Sequence, residues 1–206
     1  MSSFNDTESK LKVYREADIG KIPGLTYIPD YINEREQAKL VATIEQQEWS
    51  VKAQRRVQQY GYQYDYKNGE FSSSRYLGDL PAWLDEISGR FRQDGLTSRI
   101  PDQVIINEYE PGQGIVGHID CIPCFGNTVI TLSLGSACLL EFYQPQTHEQ
   151  AKILVEPGSL VVFQKAARYV WEHGIAERDR DIYYGQEIVR TRRISLTFRE
   201  VLFPYK

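Results

Sequence analysis

Arg193-Ile194-Ser195-Leu196-Thr197-Phe198-Arg199 alternates apolar and polar residues without a break. In an extended chain successive side chains point to opposite faces, so Ile194, Leu196 and Phe198 share one side, and Arg193, Ser195, Thr197 and Arg199 the other. The apolar side calls for a packed layer against it. The polar side admits two readings. In an isolated strand it is solvated; in a sheet folded over a second sheet it faces an enclosed space, where two arginines need anionic partners.

Working outward, Val104–Tyr109, Thr128–Leu134, Ala137–Tyr143, Ser159–Gln164 and Arg192–Arg199 are all short and β-prone. Turn signals part them at Pro111-Gly112, Gly135-Ser136 and Pro157-Gly158. Two helices precede them. Asn33 with Glu36 forms a capping box before Ala38, Leu40, Val41 and Ile44, which recur at helical spacing to about Gln47. Pro81 suits the start of the second helix, whose Trp83, Ile87 and Phe91 are expected on its buried face. Helices followed by many strands predict an α+β fold, a double-sheet jelly roll with the N-terminal helices packed on one sheet.

The 206 residues suit one domain over 22–206, after a polar, poorly ordered lead-in at 1–21. No apolar run approaches the ~20 residues needed to cross a membrane, and residues 1–10 lack the apolar centre of a secretory signal. A cytoplasmic monomer is therefore expected, with Cys121, Cys124 and Cys138 reduced and serving as packing residues. The formal net charge of −4 argues against coating nucleic acid by bulk electrostatics. It leaves room for a local basic groove. Lys52, Arg55 and Arg56 cluster, and Arg168, Arg178, Arg180, Arg190, Arg192, Arg193 and Arg199 enrich the last third, although such clusters are usually solvated faces.

The chain has three histidines. His118 and Asp120 stand two apart, so in an extended segment both side chains reach one point. His173 lies far downstream, expected at the end of an aromatic strand holding Tyr169 and Trp171. Two imidazoles and one carboxylate make the facial triad of non-haem Fe(II) oxygenases, with positions left open for a 2-oxo acid and O2. Alone, this pattern also arises by chance, and zinc takes the same ligand types. Cys121-x-x-Cys124 lacks the second pair of a zinc site, and His148 reads as a surface residue. Arg193 and Arg199 are suited to a dicarboxylate, each guanidinium forming parallel hydrogen bonds to a carboxylate. Asn107 and Tyr109, also two apart, stand ready to donate to the same ligand.

Together Asn107-x-Tyr109, Pro111-Gly112-x-Gly114-Ile115-x-x-His118-x-Asp120, Ser133-Leu134-Gly135-Ser136, His173-Gly174-Ile175 and Arg193-x-Ser195-x-Thr197-Phe198-Arg199 resemble the AlkB family. The likeness runs from about Tyr27 to Arg199. It implies a double-stranded β-helix and an Fe(II)- and 2-oxoglutarate-dependent dioxygenase acting on nucleic-acid bases, RNA or single-stranded DNA. It implies iron on His118, Asp120 and His173, and 2-oxoglutarate on Asn107, Tyr109, Arg193 and Arg199, with Arg193 at the distal carboxylate and Arg199 near the 1-carboxylate.

The family places a lid over the target base, here about 50–76. Tyr60, Tyr62 and Tyr64 are expected to stack on an extruded base, with Lys52, Arg55 and Arg56 at flanking phosphates. A hairpin whose tyrosines pack on the sheet is the plain alternative. Arg55-Arg56-Val57-Gln58 followed by Tyr60-Gly61-Tyr62 most resembles the lid of the eukaryotic homologue that hydroxylates a modified tRNA wobble uridine. Two departures set the chain apart from the bacterial repair enzyme: Ile122 stands where that enzyme has an acid, and Gln164 where it has a stacking tryptophan. Both turn the expectation from repair of methylated adenine and cytosine towards RNA. A protein or small-molecule hydroxylase, or a non-enzymatic binding protein on this fold, are the rival readings.

Overall fold

The computed structural model describes residues 22–52, 55–63 and 76–202. The expected lead-in and Tyr64 lie outside the described residues. In chain order the elements are β1 (Leu25–Ile28), α1 (Glu34–Glu45), β2 (Ser50–Lys52), β3 (Arg55–Tyr60), α2 (Ala82–Gln93), β4 (Gln103–Tyr109), β5 (Ile115–His118) and β6 (Phe125–Gly135). They continue as β7 (Cys138–Tyr143), β8 (Gln150–Val155), β9 (Leu160–Phe163), α3 (Lys165–Tyr169), β10 (Glu172–Ile175), β11 (Arg180–Tyr183), β12 (Gln186–Val189) and β13 (Arg193–Val201).

Seven strands form a major sheet in the order β1-β9-β6-β13-β4-β3-β2, and four form a minor sheet, β5-β10-β7-β8. The β11–β12 hairpin stands apart. This is the α+β jelly roll read from the sequence, and β13 sits at its centre, paired with β4 and β6. Its two faces separate two cores. Ile194, Leu196 and Phe198 join Leu40, Ile44, Leu84 and Phe91 under the helices. At about 1.5–3 kcal/mol for each such side chain removed from water, this layer holds the helices to the sheet. The second core, between the sheets, takes Tyr109, Val129, Val161, Phe163, Leu140, Phe142 and Trp171. The polar face of β13 points to that side, and Arg193 and Arg199 are buried there.

The first helix starts as its capping box dictates: Asn33 Oδ1 accepts from Glu36 N at 3.0 Å, and the Glu36 carboxylate accepts from Asn33 N at 2.9 Å. The second has Pro81 at its cap. Leu84, Ser88 and Phe91 form its buried line, whereas Trp83 and Ile87 are only partly buried, one step round the helix. Trp83 instead meets the Tyr60 ring edge-on at 5.6 Å.

Two further expectations are corrected. Tyr169 lies in a helix rather than a strand: Ala166 and Ala167 favour helical backbone, and Ala167 N bonds to Pro23 O at 3.0 Å, so the strand bearing His173 begins only at Glu172. Cys121 and Cys124 are joined by a disulfide rather than free, their Cα atoms 5.3 Å apart. The turn Cys124 N to Cys121 O at 3.3 Å folds the two side chains together. Cys138 is free and buried. Among the described residues no helix is long and apolar enough to cross a membrane.

Candidate metal centre and co-substrate pocket

The two histidines meet because β5 and β10 pair antiparallel with His118 opposite His173. Glycine permits the close approach. A Cβ on Gly174 would lie 2.8 Å from Ile115 O and 2.9 Å from Gly117 N, and one on Gly114 would lie 2.2 Å from Ile175 O. The imidazole rings are 4.7 Å apart. Asp120 follows directly after β5 and turns its Oδ2 to within 3.6 Å of His173 Nε2. One ligand atom from each of His118, Asp120 and His173 lies within 4.8 Å of the others.

Protonation suits a cation. His118 Nδ1 lies 2.9 Å from Val116 O, so Nδ1 donates to that carbonyl and Nε2 is the nitrogen turned towards Asp120 and His173 as ligand candidate. Burial pushes His173 down to about 3, against the opposing pull of Asp120, so the ring is neutral at pH 7. Burial alone would raise Asp120; Arg199 first, then His173, His118 and Arg168 overcome it and hold the carboxyl well below the usual range. Two imidazoles and one carboxylate are thus presented together. Both cysteines nearby are spent in the disulfide, so they add no thiolate to the donor set.

The arginines of β13 supply the other half. Arg193 Nη2 donates to Ser133 Oγ at 3.0 Å, and its plane lies beside the Tyr109 ring at 5.6 Å. Among the described residues its Nε and Nη1 are buried without partners, as is Arg199 Nε. Arg199 Nη2 bonds Asp120 Oδ1 at 2.6 Å, and Nη1 bonds Gln103 at 3.3 Å. The register places Asn107 beside Ser195 and Tyr109 beside Arg193. Burial, offset in part by Arg55 and Arg193, raises the Tyr109 phenol, which therefore stays protonated. Buried donors left open on two cations are what a dicarboxylate would fill. The residues present therefore fit iron with 2-oxoglutarate.

A cavity of about 580 Å³ opens over this arrangement, lined among others by Arg55, Asn107, His118, Asp120, Glu177 and Arg199. A larger groove of about 750 Å³ on the minor sheet takes in Glu141, Lys152 and Glu172 but none of the three metal-ligand candidates.

The remaining expected residues divide by strand alternation. Arg55 points inward: its Nε donates to Asn107 Oδ1 at 3.0 Å and its guanidinium lies 5.4 Å from the Tyr109 ring. Arg56 points outward, bonded to the buried Glu108 and stacked at 4.9 Å over Trp49. Tyr60 also faces the helices, its hydroxyl on Gln58 at 2.9 Å. Arg56 and Tyr60 are thus committed away from the cavity, contrary to the sequence expectation. Tyr62 stays beside the mouth, packed near Cys121, Cys124 and Phe125 and 5.0 Å from the Tyr76 ring. Neither Ile122 nor Gln164 lines the cavity; Gln164 donates to Leu96 O at 3.2 Å and Thr128 Oγ1 at 3.1 Å. His148 is exposed and hydrogen-bonded to the Tyr143 hydroxyl at 2.7 Å. Sequence reading missed Ser133 as the partner of Arg193 and Glu177 at the rim. Nothing in their spacing marks them.

A family model described as the 2OG-Fe(II) oxygenase superfamily matches residues 24–199. Among relatives, the chain is 36% identical over 197 residues to uncharacterized protein L905 of Acanthamoeba polyphaga mimivirus, covering 94% of this chain and 90% of that one. It is 30% identical to the probable RNA/DNA demethylase ALKBH6 of Danio rerio, covering 87% and 86%. It is 31% identical to the tRNA (carboxymethyluridine(34)-5-O)-methyltransferase alkbh8 of Xenopus tropicalis, covering 87% of this chain but spanning only 32% of that protein. The solved structure of OsALKBH1 superposes with a TM-score of 0.66 at 15% identity, covering 86% of this chain and 98% of that one. The chain belongs to the 2OG-Fe(II) oxygenase superfamily and, within it, to the AlkB family.

Proposed function

We propose that this dioxygenase oxidises a modified base in nucleic acid, RNA before DNA, removing an N-methyl group or leaving a stable hydroxyl. The observation that carries the reading is the convergence of His118, Asp120 and His173 beside two buried guanidinium groups with open donors, with His118, Asp120 and Arg199 lining one cavity. The choice of RNA rests on the lid resemblance and on the likeness to the tRNA (carboxymethyluridine(34)-5-O)-methyltransferase alkbh8 and the probable RNA/DNA demethylase ALKBH6.

In this reading His118 Nε2, His173 Nε2 and the Asp120 carboxylate hold Fe(II). When bound, the metal together with 2-oxoglutarate and O2 supplies the two-electron oxidation that places oxygen on a C–H bond, giving succinate and CO2. Val116 O orients His118 through its Nδ1 proton. Burial keeps His173 neutral and available down to acidic pH. Arg193, with Ser133 steadying one nitrogen and Tyr109 beside it, takes the distal carboxylate, and Arg199 with Asn107 takes the opposite end. Arg55 braces Asn107 and lies at the mouth beside Gly114 O, within reach of a phosphate. Tyr62 offers a face at the rim, and Tyr64 is assigned a stacking role with it on the resemblance alone. The cavity suits one extruded nucleotide rather than a paired one, so loops and single strands are the favoured targets.

The test is anaerobic Fe(II) loading followed by turnover over a panel of modified nucleosides set in RNA and DNA oligonucleotides. Products heavier by one oxygen indicate stable hydroxylation, and products lighter by one methylene indicate demethylation. Turnover of peptides or free amino acids alone, with every oligonucleotide untouched, would refute the nucleic-acid reading.

A further inference from the structure

Another buried guanidinium grips the loop that carries Asp120. Arg168 in α3 is 2% exposed. Its Nη1 donates to the Asp120 carbonyl at 2.8 Å, its Nη2 to those of Cys121 and Phe125 at 3.1 and 3.4 Å, and its Nε to that of Gly126 at 3.2 Å. Every acceptor lies in the stretch 120–126, which runs from the Asp120 carboxylate into the first residues of β6. No substrate or co-substrate role is open to this side chain, because all three of its nitrogens are turned into backbone.

We propose that Arg168 is a positioning residue of the metal centre, fixing the direction of the Asp120 carboxylate by gathering the carbonyl groups of its loop. The orientation of the Asp120 carbonyl fixes the peptide plane that follows it, and hence the backbone dihedral that aims its Cα–Cβ bond. The platform is itself anchored: Ala167 N bonds to Pro23 O at 3.0 Å, and Trp171 N to Ala166 O at 3.1 Å. The chain then runs from α3 straight into β10, where His173 sits. One short segment therefore places His173 directly and Asp120 through Arg168, so the two ligands move together. The disulfide and the bond from Leu202 N to Cys124 O at 2.9 Å steady the far side of the same loop. Lysine cannot replace this arrangement. Its single nitrogen keeps the charge but cannot span four carbonyls spread around a planar fork.

The proposal rests on the reading of His118, Asp120 and His173 as metal ligands, and the experiment separates the two. Co(II) is titrated into the whole protein under anaerobic conditions, without 2-oxoglutarate, and the visible absorption of the bound ion is followed. Variants are Arg168→Lys and Arg168→Met, with Arg190→Lys as the matched control. Arg190 is 5% exposed and equally committed, to Asp181 at 2.7 and 2.8 Å and to Ala176 O at 2.7 Å, but none of its partners lies in the Asp120 loop. The expected result is a loss of affinity of roughly ten- to a hundredfold in both Arg168 variants, with a changed absorption band, while Arg190→Lys melts earlier yet binds Co(II) as the wild type does. If Arg168→Met does not fold, Arg168→Lys alone carries the test. Wild-type affinity and spectrum in Arg168→Lys overturn the proposal, as does an equal loss in Arg190→Lys, which would mark general destabilisation. Absence of saturable binding in the wild type would overturn the ligand assignment itself.

Discussion

Arg193→Met tests the co-substrate pocket most directly, because the structure sets opposite signs for the protein alone and the protein with ligand. Arg193 is 4% exposed, and its Nε and Nη1 have no acceptor among the described residues. Replacing a buried cation that lacks a counter-charge by an apolar chain of similar length is neutral or stabilising by about 1–4 kcal/mol, so the free variant should melt no earlier than the wild type. With 2-oxoglutarate the order reverses. Two hydrogen bonds from a guanidinium to a carboxylate are worth about 1.5–3 kcal/mol each. Taking the low end, about 3 kcal/mol, affinity falls by roughly a hundredfold. At a ligand concentration of about 100 Kd the wild type gains about 2.7 kcal/mol. The variant at that concentration sits near its own Kd and gains about 0.4 kcal/mol. For a chain of this size, with ~2–4 °C per kcal/mol, the ligand-induced rise in Tm should fall from about 5–10 °C to about 1 °C. Differential scanning fluorimetry with Mn(II) held constant reads both numbers. A variant that melts well below the wild type alone, yet keeps the full ligand-induced rise, would show that Arg193 is a structural cation and not a carboxylate receptor.

Other outcomes follow from the same geometry. Asp120→Ala should abolish both turnover and saturable Co(II) binding, measured by optical titration, because it removes the only anionic donor of the three. Arg55→Ala should raise KM for an oligonucleotide substrate while Arg56→Ala leaves KM unchanged, since Arg55 lines the cavity and Arg56 is held by Glu108 on the opposite face. Equal changes in KM would contradict that division. Glu108→Gln should lower stability at pH 7 by about 1.5–3 kcal/mol, nearer the lower figure because Arg56 and Arg192 are 42% and 35% exposed. Arg56 first, and Arg192 with it, hold the Glu108 carboxyl below its ordinary value. The stabilisation is therefore full above about pH 4.3, the unfolded value, and is lost as pH falls through the lower folded value. Urea denaturation of both proteins should show their difference constant from pH 7 to 5 and shrinking in more acidic solution.

The sequence by itself determined the central strand, the first helix and the chemistry of the site. Residues 193–199 alternate, and alternation has one meaning in a sheet whose two faces are both buried: apolar residues towards the helices, arginines towards the space between the sheets. The spacing of His118 and Asp120, and the Asn33 and Glu36 pair, are equally local, resting on dihedrals and neighbours a few residues away. What only the tertiary structure decided is how distant segments meet. His118 opposite His173 depends on the register of β5 and β10, short strands with too few residues for a periodic signal. Alternation separates Arg55 from Arg56, but which of them faces the cavity depends on pairing with β4, which places Val57 opposite Asn107. The disulfide needed the fold of its turn, and Trp171 is buried by packing between the sheets rather than by a strand of its own. Arg168 was visible only as one basic residue among many. Its four carbonyl partners come from a loop and the start of β6 more than forty residues earlier, brought to it by chain folding that no local pattern encodes.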